Sequence, residues 1–453
     1  MRPNQLTTEG GGLTPNLLAP HFTPSLRIFL AEVQKNTRKG KNIMADYKGI
    51  EYLRNKLRIK RPRVLLRYDY YDMKNIVQDF GISTPPDLRN WISCLGWCGK
   101  GVDKLADRLV FKEFKNDNFG LNEIYQMNNS DILYRSAING ALISACDFIC
   151  ISRDKDGFPR MYVIDGGNAT GIIDQTTNLL KEGYAVLDRN DRGQPLIEAY
   201  FLETGTQYIY KNKTYVEWIP HNVGHPLLVP IIYKPDEKRP FGHARISRAW
   251  MSLVQSAVRT IKRSEIAAEF YSYPQKYVTG LDENAEKMEK WKATISSMMQ
   301  FSRGENGDKP TVGQFQQQSM TPHTEQLKMF ASLFANEADL TFEDMGFQGS
   351  NPSSADAIKA AHENMRLTAR AAQRSFESGF LNAGYLAACL RDDVQYKREV
   401  LYMTKARWEP IFEPDASMLS AIGDGVMKLN QAIPGFISAE TLSDLTGIDS
   451  SEE

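Results

Sequence analysis

Residues 241 to 390 carry the pattern that most restricts this 453-residue chain: a long amphipathic helix, a compact insert, a second helix, a glycine-rich loop and a still longer helix. The first helix is read over RISRAWMSLVQSAVRTIKRSEIAAEFY. At the helical period Ile246, Trp250, Leu253, Val254, Ala257, Ile261 and Ala268 share one face. Arg245, Arg248, Ser252, Gln255, Arg259, Lys262 and Arg263 lie opposite, with no acid until Glu265, so the spacing predicts an unneutralised positive stripe. The helix is roughly 40 Å long, and Tyr273-Pro274 ends it.

The second helix opens at Thr321-Pro322, an N-cap and N1 pair, and runs through Leu327, Phe330 and Phe334 to about Asp339. Between the two lies an insert of about 50 residues, beyond ordinary helix connections. It reads as a strand (QKYVTG), a helix (ENAEKMEKWKATISSMMQF), a Gly/Asn/Asp turn and a strand (TVGQFQ), a small αβ module at the far end of a helical hairpin. The loop DMGFQGSNPSSAD then leads into a helix from about Ser354 to Leu390. Unbroken, that helix would measure roughly 55 Å. Ile358, Ala361, Met365, Ala369, Ala372, Phe376 and Ala383 share one face, and Lys359, Arg366, Arg370 and Arg374 another. Ala360, Asn364, Ala371, Ser375 and Ser378 form a third strip of small residues that another helix could approach closely. One chain is expected to lack the body to bury so exposed a rod, whereas repeated copies supply it.

A chain of this length exceeds one core, so two or three domains are expected. Lys+Arg and Asp+Glu both total 55, which excludes a globally basic nucleic-acid binder and makes any DNA contact local. Cys94/Cys98, Cys146/Cys150 and Cys389 do not make a secretory disulfide frame. The two C-x3-C pairs could offer four thiolates to zinc, but their apolar settings, WISCLGWC and LISACDFIC, favour core thiols. No apolar run reaches membrane length and the N-terminus lacks a signal-peptide order, so a protein that is intracellular when made is expected.

Residues 1 to 44, rich in Gly, Pro, Thr and Asn around one apolar island, LRIFLAEV, read as a flexible extension. Met44 opens MADYKGIEYLRNKL, the expected start of the folded part. The basic stretch Arg54, Lys56, Arg58, Lys60, Arg61, Arg63 and Arg67 follows; it reads as a solvated helix face feeding a subunit contact, or as a surface touching DNA, scaffold or shell. Tyr68, Tyr70 and Tyr71 read as packing residues. An amphipathic helix is predicted from Pro85 to Ala106, leading into a strand, LVFKEF. Gly96, Gly99, Lys100 and Gly101 in it have a superficial likeness to a phosphate loop, but the G-x-x-x-x-G-K-[ST] spacing is absent and no strand precedes them.

A helix, NNSDILYRSAINGALISAC, then leads into a β-rich region from about Asp147 to Tyr233, with DKDG, DRNDRGQ and KNKT as hairpin turns. Asp154 and Asp156, and Asp188 and Asn190, resemble calcium-loop positions only in part: Gly157 comes too early, Arg192 fills a ligand slot and Ala199 stands where a bidentate Glu belongs. His221 and His225 in HNVGH lack the Glu of a metalloprotease helix and read as a structural loop. After Leu390 come modest helices separated by Pro and Gly, and an acidic end, DSSEE, with no visible chemistry.

The ordered series VPIIYKP, PFGHARISRA, EIAAEFYSYPQKYVTG and GFQGSNPSSADAIKAA, with LADRLVFKEF earlier, resembles the portal proteins of tailed bacteriophages over about residues 45 to 450. The resemblance implies an α+β portal fold: an α/β wing (45–240), stem helices (241–271 and 321–339) and an αβ clip (272–320). A tunnel loop (340–353), a long wing and crown helix (354–398) and a crown with C-terminal segment (399–453) complete it. It also implies a ring of about twelve copies at the capsid vertex, passing double-stranded DNA and docking the terminase large subunit, then head-completion, adaptor and tail proteins. Helices about 10 to 12 Å wide in such a ring would leave a bore of roughly 30 Å.

On that reading Phe347, Gln348, Gly349, Ser350 and Asn351 form an uncharged loop tip toward DNA. Arg245, Arg248, Arg259, Lys262 and Arg263 either face the channel or pair with the neighbouring subunit, and Lys287, Glu289, Lys290, Lys292 and Arg303 are clip-surface contacts. Major capsid and scaffolding proteins are further implied partners; no membrane, metal or cofactor is. The alternatives are a nucleic-acid-processing enzyme, for which no compact D-x-D or E-x-K carboxylate set appears, and another ring-forming adaptor or capsid protein.

Overall fold

The computed structural model describes residues 47–77, 90–211, 215–272, 276–279, 311–314, 319–347, 360–412, 414 and 416–448. Met1–Tyr47 and Lys48–Glu453 are separate units, and the fold below is that of the second. The extension expected over residues 1 to 44 lies outside the described residues.

Helix α1 (Ile50–Tyr71) follows Gly49, whose φ of 85° only glycine adopts readily. It turns Leu53, Leu57, Val64 and Tyr70 into the core. Helix α2 covers Trp97–Ala106, shorter than the predicted Pro85–Ala106. Residues 91–95 lie outside regular structure, and there the Trp91 indole and the Ser93 hydroxyl both donate to the distant Glu265, at 2.9 Å. Residues 85–89 lie outside the described set.

Strand β1 (Phe111–Lys115), helix α3 (Leu121–Gln126) and helix α4 (Ser130–Ser144) lead to two antiparallel sheets. The first has the order β3-β2-β9, from β2 (Cys146–Arg153), β3 (Pro159–Ile164) and β9 (Leu228–Ile232). The second is a meander of β4 (Ala169–Ile173), β5 (Leu180–Arg189), β6 (Pro195–Leu202), β7 (Gly205–Tyr210) and β8 (Tyr215–Pro220). Residues 146 to 151 are buried without alternation because β2 is covered on both faces, by α4 and by the long helix described below. Gly157 and Gly193, at φ 86° and 74°, close the hairpins at DKDG and DRNDRGQ. Asp154 is used up by the backbone amides of Asp156 and Phe158 and by Arg160, as a turn residue would be.

Helix α5 (Arg248–Ser272) and helix α6 (Thr321–Glu337) pack as a hairpin. Of the insert between them, β10 (Lys276–Thr279) and β11 (Thr311–Gln314) are described, pairing antiparallel from Lys276↔Gln314 to Thr279↔Thr311. The helix predicted inside the insert lies outside the described residues. Helix α7 spans Glu363–Asp392. Its residues from Asn382 to Leu390 are all buried, against α3, β2, β3, β9 and strand β12 (Lys405–Trp408). This corrects the expectation of a rod without its own body: the C-terminal half of α7 is a core helix, and Ser375 of the small-residue strip already donates to the Ile232 carbonyl at 2.8 Å. Strand β12 pairs with β1, and helices α8 (Ala416–Ala432) and α9 (Ala439–Thr446) close the chain.

Cys98, Cys146, Cys150 and Cys389 are buried free thiols, and burial pushes the first three up to about 12; Cys94 is exposed and departs from the core-thiol reading. Among the described residues no group of three or more His, Cys, Asp or Glu could hold a metal ion, and no helix is long and apolar enough to cross a membrane.

Candidate functional site: the root of the helical hairpin

The apolar faces of α5 and α6 meet where Trp250, Val254, Ala257 and Val258 bury against Ala331, Phe334 and Ala335. Trp250 and Phe334 lie with ring centroids 5.0 Å apart, and Trp97 of α2 approaches Phe334 at 5.5 Å. Gly101 sits beneath this cluster: a Cβ there would fall 2.7 Å from the Trp250 ring. The glycines of the segment that looked like a phosphate loop thus serve close helix packing. Farther along, the Thr260 hydroxyl donates to Gln326 at 3.0 Å.

Arg245 joins three elements at the root. Its Nε donates to the Gly101 carbonyl at 2.8 Å and its Nη2 to the Ala338 carbonyl at 2.7 Å, with the Asp339 carboxylate 3.8 Å away and Trp250 beneath the guanidinium. It is buried and precedes the first turn of α5, so it corrects the reading of Arg245 as part of a channel-facing or subunit-facing stripe. Of the rest of the stripe, Arg248 is exposed, whereas Arg259, Lys262 and Arg263 are half-buried; Arg259 donates to Ser256 at 3.0 Å.

The turn after α6 has its own frame. Asp344 accepts from the Thr341 amide at 3.0 Å and the Thr341 hydroxyl at 2.9 Å, and Lys104 stands 3.3 Å away. Burial acts to raise the Asp344 carboxyl, but these bonds and Lys104 outweigh it and hold it below its ordinary range. Phe347 stacks on Phe342 with centroids 4.9 Å apart, and Asp339 accepts from Thr368 of α7 at 2.9 Å. The loop's entry is therefore fixed to both α2 and α7. Gln348, Gly349, Ser350 and Asn351 lie outside the described residues, as do Lys287, Glu289, Lys290, Lys292 and Arg303.

Residues 50–447 match the family model described as phage portal protein, SPP1 Gp6-like. The chain belongs to this portal family. The family suggested by the ordered motifs is the same one. Two curated relatives are the portal protein of Mycobacterium phage L5, 22% identical over 325 residues, and that of Mycobacterium phage D29, 21% identical over 320 residues. Each match covers 65% of this chain and 65% of the relative's own length. In structure the chain is similar to a chain of the virion of a native gene transfer agent particle (TM-score 0.43, 12% identity, 85% of this chain and 99% of that one). It is also similar to a chain of the neck of an empty particle of that kind (TM-score 0.44, 12% identity, 81% and 95%).

Within this portal-family chain, sequence reasoning missed the groups that fasten the root. Arg245 was assigned by helical angle, yet the helix starts only at Arg248. The basic stretch on α1 is also divided, which corrects its reading as one solvated face. Arg54 pairs with buried Glu198, Lys56 donates to the Gly171 carbonyl at 2.7 Å, and Lys60 lies over the Phe148 ring at 5.2 Å. The partners that divide it, Glu198, Phe148 and Phe241, lie far along the chain from α1.

Proposed function

We propose that copies of this chain form a ring at one capsid vertex, through which double-stranded DNA enters during packaging and leaves on ejection. The family match over residues 50–447 carries this reading. Residues 45–240 would form the wing, 241–271 and 321–339 the stem, 272–320 the clip, 340–353 the tunnel loop, 354–398 the long wing and crown helix, and 399–453 the crown and C-terminal segment. About twelve subunits, in a heterologous contact that closes when the rotation divides a full turn, would line the conduit. The ring is a passive part: the terminase large subunit docks during filling, and head-completion, adaptor and tail proteins afterwards, with major capsid and scaffolding proteins around it. It is built in the host cytoplasm and resides at the portal vertex of the virion.

The loop supports a sliding contact. Its base is fixed by Asp344, Thr341 and the Phe342–Phe347 stack, while Gln348 and Asn351 offer uncharged polar groups. Phosphates neutralised by Lys or Arg add salt-dependent affinity, so an uncharged tip would grip DNA little. Replacing Gln348 and Asn351 with Trp should stall packaging while negative-stain images still show rings with an axial hole. Normal packaging by such rings would remove the loop from the mechanism.

A further inference from the structure

A groove of about 880 Å³ runs between α1 and the loop that leads into α5. Its lining includes Lys56, Lys60, Arg63, Arg67, Arg239 and Arg248 and no carboxylate. The first four recur at spacings of 4, 3 and 4, which places them on one face of α1 over about 16 Å.

Among the described residues their direct contacts are weak ones. Lys56 lies 4.7 Å above the Phe241 ring and Lys60 is 3.4 Å from the Ala169 carbonyl; carbonyls and ring faces supply only partial negative charge. Arg63, Arg67 and Arg248 make no hydrogen bond or ion pair with a described residue. Asp147 and Asp165 lie within electrostatic reach of Lys60, and Glu182 of Lys56, so the two lysines are partly balanced from within; Asp236 lies outside the lining and is engaged by His243 and the Arg239 amide, each at 2.6 Å. Burial, with Lys60 and Lys48 nearby, lowers Lys56 to about 8, and burial, with Arg63 and Arg239 nearby, lowers Arg67. Among the described residues the guanidinium groups of Arg63, Arg67 and Arg248 are left without a counter-charge, which a second molecule can supply.

The lining also has an apolar part. Ile59 and Leu66 are 56% and 46% exposed, beside Phe241 and Met251. A DNA backbone is convex and polar and would leave these uncovered. A protein surface with acids flanking apolar side chains covers both.

Such a surface exists on α6. Met329 and Leu333 are 50% and 49% exposed, and Glu325 and Glu337 stand one turn to either side, so acid, Met, Leu and acid form one stripe at four-residue spacing; Glu325 meets Lys328 at 3.1 Å, an exposed pair of the kind that is worth little and that a guanidinium can displace. We propose that the Glu325-Met329-Leu333-Glu337 stripe of a second copy docks into the cationic groove on α1. Two different surfaces meet in this contact, which is the kind that propagates around an axis. The inference rests on the ring reading above and adds the residues that hold neighbours together.

The test is assembly of the full chain, followed by mass photometry and negative stain. Arg63→Glu with Arg67→Glu should raise the concentration needed for ring formation by about tenfold or more, as breaking charge pairs at an interface does, with an unchanged circular dichroism spectrum. Adding Glu325→Arg and Glu337→Arg to the same chain should restore assembly. If the groove variant misfolds, Glu325→Lys with Glu337→Lys, on an exposed helix face, must weaken assembly by itself. Rings that form equally well in parent and charge-reversed chains overturn this docking but leave the ring reading standing. Normal assembly of the groove variant together with lost binding of duplex DNA also overturns it, and gives the groove to phosphodiesters. A parent chain that never forms rings sinks both.

Discussion

The guanidinium of Arg245 donates to the carbonyl of Ala338 at 2.7 Å, at the C-terminal end of α6. The same group holds the Gly101 carbonyl of α2, so one buried cation satisfies two main-chain acceptors and sits where the helix dipole is negative. Arg245→Ala would leave both carbonyls without that donor and should cost about 3 kcal/mol of stability. Arg245→Lys should recover only part, since an ammonium lacks the planar fork. Chemical denaturation of the two variants checks this; an Arg245→Ala protein as stable as its parent would show the clamp to be redundant.

Gly101 and Trp250 give a second expectation. A methyl at Gly101 would lie 2.7 Å from two Trp250 ring atoms, with Phe334 close behind. Gly101→Ala should therefore destabilise by about 1 to 3 kcal/mol through overpacking. Pairing it with Trp250→Phe should return part of the loss, because the smaller ring frees the volume. Melting temperatures of the single and double variants decide: if the second change only adds to the first, the clash is not between these two residues.

The parts of the fold set by periodicity could be read directly from the residues. Trp250 and Phe334 lie on apolar faces whose 3.6-residue repeat marks the hairpin, and Gly157 and Gly193 mark turns that need positive φ. What depends on distant partners could not be read that way. Glu113 and Arg407 are 294 residues apart and pair across β1 and β12, with no local signal for that register. Lys56 and Lys60 look like solvent cations by type, and only the arrival of Phe241 and Phe148 turns them inward. The site was partly legible: the hairpin was, but the Arg245 clamp was not, because its role depends on where α5 starts.

Asp147 predicts a pH dependence of unusual sign. Burial raises its carboxyl to about 7, against the bonds from the Ser144 hydroxyl (2.7 Å) and the Gly166 amide (2.8 Å). Its folded value lies above its unfolded value, so between roughly pH 4 and 7 the native state binds the extra proton. Its favourable contribution is complete at the acid end and declines as pH rises, by up to about 1.4 kcal/mol per pH unit, with no further change above 7. Asp147→Asn should flatten this slope in denaturant titrations at a series of pH values. An unchanged slope would mean that another group carries it.

Glu198 predicts the opposite limb. Its buried carboxylate takes Lys211 at 2.9 Å, the Tyr184 hydroxyl at 2.8 Å and Arg54 of α1; burial acts to raise it, but these partners prevail and hold it below its ordinary range. The stabilisation it gives is present above the ordinary carboxyl range and is lost as pH falls through the folded value. Because Arg54 is the member on α1, protonation should loosen the first turns of α1 from the meander sheet before the rest of the chain. Amide exchange of residues 50–60 should therefore accelerate at low pH in the parent, and should be fast and insensitive to acid in Glu198→Gln. Protection that persists in acid would show that Leu53 and Leu57, packed on Tyr184, Val186 and Tyr200, hold the helix in place without the carboxylate.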